Sequence, residues 1–210
     1  MKQLLIILIM MNALSGLAQD LQSIQLPDPI KTGGKPLLDC LNERHSTREY
    51  STDSLPQQTL SNLLWSAFGV NREDGRRTAP TARNVQDMDI YVFLPDGIYL
   101  YDAAENRLEG VTAGDYRGRT GTQEFVGDAA LNLVYVSDYA RMEVYDDTMK
   151  PLWAHTHSGS IAQNVYLYCA SEGLATVVRA SLDKDACAEV MKLRPEQHII
   201  LAQTVGFPTK

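Results

Sequence analysis

The sequence predicts a single α+β domain in which a sheet is flanked by helices. Segments that alternate between apolar and polar residues, as strands do, are interspersed with segments whose apolar residues recur at helical spacing. Internal repeats are lacking, and 210 residues are enough for one domain with a substantial core. Together these observations favour one layered unit.

Residues 1–18 have the composition of a secretory signal. Met1 and Lys2 precede an apolar run over residues 4–11, and small residues lead to a plausible cleavage site after Ala18. The run is too short to span a bilayer, which needs about 20 residues, so no stable membrane anchor is expected. We therefore expect export to the periplasm. The alternative is that this segment is an N-terminal core strand.

Charge and cysteine content exclude several classes of protein. The formal net charge is −7 and the pI is about 5.1, and the basic residues are scattered, which argues against a nucleic-acid partner. Cys40, Cys169 and Cys187 form no CxxC pair, so neither a disulfide framework nor a zinc ribbon is indicated. Buried free thiols are expected, and a bridge between Cys169 and Cys187 is the alternative.

The first half of the chain reads as an arm, two helices and a hairpin. Residues 19–36 are rich in proline and glycine and predict an extended arm, ahead of a domain over residues 37–210. The predicted elements are a short helix at 37–41, a helix that starts at the capping sequence 53–56 and ends at Gly69, strands at 89–94 and 98–102 joined by a turn at 95–97, and a strand at 107–111.

The second half mixes the same two kinds of segment. The predicted elements are a helix at 121–132, a strand at 133–136, an irregular acidic stretch at 139–152, a helix at 161–172 ended by Gly173, a strand at 175–180, a helix at 183–193 and a strand at 198–205. The 161–172 helix is the most apolar of the chain.

The segment from Glu43 to Tyr50 is the first candidate for chemistry. It contains Arg44, His45, Ser46, Thr47 and Arg48 in consecutive positions. Guanidiniums present forks of donors to phosphates and polarised carbonyls, and small hydroxyls approach an anion closely. The segment is therefore an anion-binding candidate, and a solvated turn is the alternative.

Two further segments carry polar side chains in suggestive patterns. The loop at 79–86 combines a proline and small residues with amides, and its backbone could approach a flat heterocycle. His155 and His157 could chelate a metal, but no third ligand is placed by the sequence. We favour a helix cap in which Ser158 and Ser160 serve the helix that follows.

Taken in order, these motifs resemble the nitroreductase family of FMN-dependent oxidoreductases. The resemblance rests on the Arg-His-Ser-Thr-Arg segment at 44–48, the Leu-Leu-Trp helix at 63–65, the Pro-Thr-Ala loop at 80–82, the Gln-Asn pair at 163–164 and the Val-Gly-Phe-Pro sequence at 205–208. The helix and loop are similar to the branch that includes azoline-forming dehydrogenases. The resemblance implies a mostly antiparallel sheet flanked by helices and an intertwined homodimer that binds FMN at its interface.

The resemblance also implies which residues contact FMN. Arg44, His45, Ser46 and Arg48 would hold the phosphate, the ribityl chain and the pyrimidine edge. The partner chain would place Pro80, Thr81, Ala82, Asn84 and Gln86 against the isoalloxazine. Arg179 and Ala180 would pass near the flavin N5 edge, and Lys210 would help to bind phosphate. No protein nucleophile and no metal is implied, because the flavin performs the hydride chemistry.

Three functions remain open at this point. The first is transfer of hydride from a small-molecule donor such as NAD(P)H to a nitroaromatic, a quinone or a similar conjugated acceptor. The second is dehydrogenation of a peptide or small metabolite. The third is a non-catalytic exported binding protein with the same fold, and Arg83 would be one of its signs. Relatives often have a small residue at that position, and an arginine would narrow the face above the flavin or make it cationic.

Overall fold

The computed structural model describes residues 21–209, in which seven strands form one sheet with four helices against it. The strands are β1 (Ile24–Gln25), β2 (Met88–Leu94), β3 (Gly97–Asp102), β4 (Arg107–Ala113), β5 (Leu131–Asp138), β6 (Ala175–Arg179) and β7 (Gln197–Gly206). The helices are α1 (Leu37–Glu43), α2 (Gln57–Phe68), α3 (Lys150–Glu172) and α4 (Lys184–Val190). The strand order is β1-β4-β3-β2-β5-β7-β6, and every pair is antiparallel. The α+β prediction is confirmed.

Strand β5 lies near the middle of the sheet and is buried along its whole length. Leu133 and Tyr135 face the core shared with α2 and α3, while Val134 and Val136 face the core shared with α4. Successive side chains of a strand point to opposite faces, so a strand covered on both faces is apolar throughout. The sheet therefore has helices on both sides, with the long helix α3 on the face of the larger core.

The predicted hairpin is confirmed. Strands β2 and β3 pair with Leu94 opposite Gly97, so only Pro95 and Asp96 lie in the turn. The Tyr99 hydroxyl donates to Asp96 Oδ2 at 2.9 Å and ties the turn to β3. The third strand follows at β4, as the alternation in the sequence predicts.

Helix α3 begins earlier than predicted. It starts at Lys150, with Pro151 in the first turn, so His155 and the serines lie inside the helix. The Ser158 hydroxyl donates to the His155 carbonyl at 2.9 Å, and Ser160 bonds back in the same way to Thr156. The predicted caps were wrong because these hydroxyls satisfy the preceding turn of the helix rather than its start. The predicted end is confirmed, since Gly173 is left-handed at φ 68°.

The helix predicted at 121–132 was also wrong. Only a 3₁₀ turn at Glu124–Val126 forms there, and β5 already begins at Leu131. The buried Asn132 side chain donates to the Val126 carbonyl at 2.7 Å and holds the turn against the strand. Phe125 and Ala129 pack on Tyr50, so their spacing reflects contacts with a distant segment and not a helical face.

Helices α2 and α4 start where predicted but differ in their caps. Asp183 accepts from the Ala186 N–H at 3.0 Å and caps α4. At α2 the N-cap is Pro56, without a side-chain cap, and Asp53 accepts from the Ser51 hydroxyl instead. The predicted capping role of the sequence before Pro56 was therefore wrong.

Residues 21–36 run over the surface of the domain. Strand β1 pairs with β4, and the buried Leu26 anchors the segment in the core. The Pro27 carbonyl accepts from the Ser61 hydroxyl at 2.5 Å and from Asn106 Nδ2 at 2.8 Å. The predicted signal at residues 1–18 lies outside the described residues, as does Lys210.

All three cysteines are free and buried, so the expectation of buried thiols is confirmed and the alternative bridge is not formed. Within residues 21–209, none of the helices has the length and apolar character needed to cross a bilayer.

Candidate functional site

The Arg44–Thr47 segment is fixed against the edge of the sheet. It leaves α1 in extended conformation, and the Thr47 N–H donates to the Thr176 carbonyl of β6 at 2.9 Å. Further on, Tyr50 forms a bridge with Pro208, and the Ser51 N–H donates to the Phe207 carbonyl. The backbone of the segment is thus set by contacts with β6 and the chain after β7, both distant in sequence.

Tyr166 of α3 orders the side chains of this segment. Its hydroxyl lies 2.8 Å from Ser46 Oγ and accepts from the Val178 N–H at 3.0 Å. The Arg44 guanidinium lies over the Tyr166 ring, 5.1 Å from the centroid. Tyr166 therefore joins α3, β6 and the Arg-His-Ser segment at one point. This role is not evident from the sequence, because a tyrosine within an apolar helix gives no local signal of it.

Arg44 and Arg48 differ from most arginines of the described chain because neither guanidinium has a hydrogen bond or an ion pair there. The arginines paired with carboxylates are Arg76, Arg107, Arg117, Arg141 and Arg194. His45 Nδ1 donates to the Glu43 carbonyl at 2.7 Å, which leaves Nε2 directed elsewhere. Arg44, His45 and Thr47 line a cavity of about 190 Å³ with Tyr166 and the start of β6. The unpaired Arg44 guanidinium beside this cavity can bind an anion, and Arg48 lies four residues further along the same segment.

The loop at 79–86 has an unusual backbone. Arg83, Asn84 and Gln86 have positive φ values of 54°, 55° and 46°. Left-handed conformations cost non-glycine residues free energy and persist only where the surroundings impose them. Such strain concentrates at binding sites, so this loop is the second part of the candidate site.

A buried pair, Asp87 and His157, holds the loop from below. The Ala82 N–H donates to His157 Nε2 at 2.8 Å, so this nitrogen is unprotonated. The proton of the neutral ring is then on Nδ1, which donates to Asp87 Oδ1 at 2.6 Å. The other Asp87 oxygen accepts from the Ser137 hydroxyl at 2.6 Å. The His-x-His pattern thus has a third role that the sequence analysis missed, because Asp87 and Ala82 are 70 and 75 residues away from His157.

Gln86 and its partners close the other side of the loop. Arg77 Nε donates to Gln86 Oε1 at 3.0 Å, and the Gln86 N–H donates to Thr81 Oγ1 at 3.0 Å. Arg141 Nη1 donates to the Gln86 carbonyl at 2.8 Å. Burial lowers the pKa of the Arg77 guanidinium. The Gln86 side chain is therefore engaged within the loop, while Pro80 and Asn84 are exposed.

Arg179 and Ala180 are placed differently from each other. The Arg179 side chain is 6% exposed. It donates to the Thr120 carbonyl, Asn132 Oδ1 and Thr204 Oγ1, so its guanidinium is held by hydrogen bonds within the fold. Burial lowers its pKa to about 10. Ala180, at the end of β6, is exposed. The Arg179 side chain is therefore not free to bind a ligand, whereas Ala180 is accessible.

The two parts of the site are held on different sides of α3. Tyr166 orders the Arg-His-Ser segment, and His157 orders the loop at 79–86. Nine residues of α-helix make about two and a half turns and about 13 Å of rise, so these side chains leave the helix in opposite directions. Within one chain, the two parts therefore do not face a common cavity.

Comparison with known proteins gives a consistent result. The chain matches the family model "Nitroreductase family" over residues 41–207. It is 31% identical over 200 residues to a protein of Methanocaldococcus jannaschii described as a nitroreductase, covering 89% of this chain and 97% of the relative. A crystal structure of a protein from Ralstonia eutropha JMP134, also described as a nitroreductase, is 42% identical, with a TM-score of 0.87 over 92% of this chain and 93% of that one.

A more distant structure has the same fold. The NADPH:FMN oxidoreductase of Vibrio harveyi, solved with NAD⁺, is 19% identical, with a TM-score of 0.62 over 83% of this chain and 69% of that one. The match to the family model and the two closer relatives agree with the antiparallel sheet and the ordered motifs described above. The chain is therefore a member of the nitroreductase family and an oxidoreductase.

Proposed function

We propose that this oxidoreductase binds FMN and transfers hydride from a reduced donor such as NAD(P)H to a nitroaromatic, a quinone or a similar conjugated acceptor. The observation that carries the proposal is the unpaired Arg44 guanidinium beside a cavity at the sheet edge, with the Arg48 guanidinium, also unpaired, four residues further along the same segment. The fold-level likeness to an NADPH:FMN oxidoreductase supports the same cofactor. Bound FMN would supply the redox chemistry, taking two electrons as hydride from the donor and giving them to the acceptor.

The residues present fit a phosphorylated flavin. Arg44 and Arg48 would bind the phosphate or the pyrimidine carbonyl, where a reduced flavin gains negative charge. Ser46, oriented by Tyr166, and His45, through Nε2, would hydrogen-bond the ribityl chain. For a nitro acceptor, hydride plus one proton converts the nitro group to a nitroso group and releases water, so the atoms and charges balance without a metal.

The site requires two chains under this proposal. Pro80, Thr81, Ala82 and Asn84 would reach the isoalloxazine from the partner, because the loop and the Arg-His-Ser segment lie on opposite sides of α3 in one chain. Helix α1 also exposes Leu37 and Leu38 at 61% and 76%, as expected of a face that packs on another subunit. The Ile161 side chain of α3 does not contribute to such a surface, since it is buried in the chain's own core.

The proposed homodimer is testable by sedimentation. At micromolar concentration the mature protein should sediment as a dimer, whereas a monomer that still retains FMN would contradict the two-chain site.

Export remains part of the proposal on sequence grounds alone. Mass spectrometry of protein from the periplasm should find a chain that begins after Ala18, and an intact N-terminus in the cytoplasm would contradict this.

The first experiment is the visible absorption spectrum of residues 19–210 after incubation with FMN and desalting. Retained flavin bands, followed by their bleaching with NAD(P)H and their recovery with a nitroaromatic, would support both the cofactor and the reaction. Retention with no bleaching by NAD(P)H would overturn the proposed donor. Loss of all flavin on desalting would overturn the cofactor assignment.

A further inference from the structure

We propose that the molecule that exchanges electrons at this site carries an anionic group, phosphate or carboxylate, that docks in a cleft lined by four arginines. This arginine cleft has a volume of about 470 Å³ and is lined by Arg72, Arg76, Arg77, Ala79, Pro80, Thr81, Arg83 and Asn84. The inference rests on the proposed flavin-dependent function, because the cleft shares three residues with the predicted flavin-contacting loop: Pro80, Thr81 and Asn84.

The positive charge of the cleft is largely uncompensated. Within residues 21–209, only Arg76 of the four has a carboxylate within ion-pair distance, that of Asp74 at 3.3 Å. Arg72 donates to neutral oxygens, Asn71 Oδ1 and the Arg77 carbonyl. Arg83 lies over the Tyr145 ring at 5.6 Å. In a chain of net charge −7, such a local excess of guanidinium attracts anions that the rest of the surface repels.

The cleft is also held in shape. Its walls are the 70–77 turn, closed by a bridge between Val70 and Arg77, and the strained loop that carries Arg83 at φ 54°. Arg77 joins the walls, because it donates to Gln86 Oε1 on one side and to the Phe68 carbonyl on the other. Arginines fixed in this way bind an anion with less loss of side-chain entropy than mobile surface lysines do.

The chemistry of the ligand follows from these side chains. Planar guanidinium forks match the oxygens of phosphate and carboxylate, and several forks around one cleft favour an anion of charge −2 or more. Two sources fit this chemistry: the phosphates of a dinucleotide donor, or an acidic group on the acceptor. Both would place the reacting part of the molecule beside the 80–84 loop.

The binding test uses FMN-saturated protein and inorganic pyrophosphate in a calorimetric titration. Under the proposed function FMN occupies the region of Arg44 and Arg48, so the pyrophosphate binding that the titration measures is binding to the arginine cleft. The Arg72→Gln/Arg83→Gln double variant should weaken binding roughly tenfold, while Arg119→Gln, an exposed arginine outside the cleft, should change it less than about twofold. Arg77 is left intact because it braces the loop. Equal losses in both variants, or no binding by wild type, would overturn the proposal.

A kinetic test separates the two sources. If the donor carries the anion, the double variant lowers kcat/KM for NADPH several-fold more than it changes the rate of reoxidation by neutral nitrobenzene. If the acceptor carries it, reoxidation of the reduced protein by para-nitrobenzoate slows relative to nitrobenzene. Unchanged values in both assays would overturn the proposal, as would loss of FMN retention in the double variant, which would assign the cleft to the cofactor. If wild type retains no flavin, the flavin proposal fails, and the loss of pyrophosphate affinity in the double variant, compared with wild type and Arg119→Gln, still decides the anion site.

Discussion

Arg44 and Arg48 are the two residues on which the proposed cofactor site depends most. We expect Arg44→Ala and Arg48→Ala each to weaken FMN binding by roughly 10- to 100-fold, because a charge-assisted hydrogen bond contributes about 1.5–3 kcal/mol. Flavin should then be lost on desalting. The free energy of unfolding should change by less than about 1 kcal/mol, since within residues 21–209 neither guanidinium has a hydrogen bond or ion pair and Arg44 has only its contact with the Tyr166 ring.

The matched control for these variants is Arg119→Ala, which removes an exposed arginine from another part of the surface. The absorption spectrum after desalting measures flavin retention, and a denaturant titration measures the free energy of unfolding. Full FMN occupancy in both Arg44→Ala and Arg48→Ala would rule out the assigned phosphate and pyrimidine contacts.

His157 is the residue that positions the strained loop. Replacing it by alanine leaves Asp87 buried without its principal partner and frees the Ala82 N–H. We expect His157→Ala to lower the free energy of unfolding by about 2–4 kcal/mol and to speed hydrogen exchange at the Ala82 amide.

His155→Ala is the natural control, because His155 lies two positions earlier on α3 and is exposed. Its Nδ1 bonds only to the Pro151 carbonyl. We expect its effect on unfolding to remain within about 0.5 kcal/mol. Similar losses in both variants would mean that the Asp87 pair is not what holds the loop.

Helix α3 is the element that connects both parts of the site. Two glycines, one within the helix and one at its C-terminal cap, allow the effect of the space around an added Cβ to be distinguished from the effect of the backbone conformation. Gly159 and Gly173 both have open space where a Cβ would be added, but only Gly173 is left-handed, at φ 68°. We expect Gly159→Ala to raise the free energy of unfolding by about 0.5–1 kcal/mol and Gly173→Ala to lower it by about 1–2 kcal/mol.

Chemical denaturation of the two variants measures this difference directly. Since each substitution adds the same methyl group to the same helix, each serves as the control for the other. A destabilised Gly159→Ala protein would contradict the prediction and would show that another molecule covers the open side of α3.

At the scale of the whole molecule, buried tyrosines set the stability at high pH. Burial raises the pKa of seven of the ten tyrosines, that of Tyr168 to about 12. These are Tyr50, Tyr91, Tyr99, Tyr101, Tyr135, Tyr139 and Tyr168. A raised pKa means that the folded state favours the protonated phenol. The resulting stability is complete below the ordinary value of 10.0 and is lost as pH rises above it.

We therefore expect alkaline unfolding above about pH 10, with tyrosinate absorbance and loss of circular dichroism rising together. A pH titration that follows both signals on the same sample makes the measurement, and a return to neutral pH checks that the change is reversible. Complete ionisation of the tyrosines near pH 10 with the fold intact would contradict the burial of their hydroxyl groups.

Local sequence was enough to predict the elements whose signals are local. The alternation in β2 and β3 and the Pro-Asp turn between them gave the hairpin, because a strand's side chains alternate and a two-residue turn joins its neighbours. Gly173 marked the end of α3, since it can adopt the left-handed cap. The Arg-His-Ser-Thr-Arg segment stood out by composition alone, because five consecutive anion-binding side chains need no tertiary context to be noticed.

Only the tertiary structure decided the features that depend on distant partners. Residues 121–132 form no α-helix, because Phe125 and Ala129 pack on Tyr50 and strand β5 already begins at Leu131. Both ring nitrogens of His157 are engaged within the fold, because Asp87 and Ala82 meet it across the chain. The arginine cleft likewise exists only where the turn that carries Arg72 meets the loop that carries Arg83. The periodicity of apolar residues indicates which face of a helix or strand is buried, but which segment packs on that face depends on the packing of the whole chain.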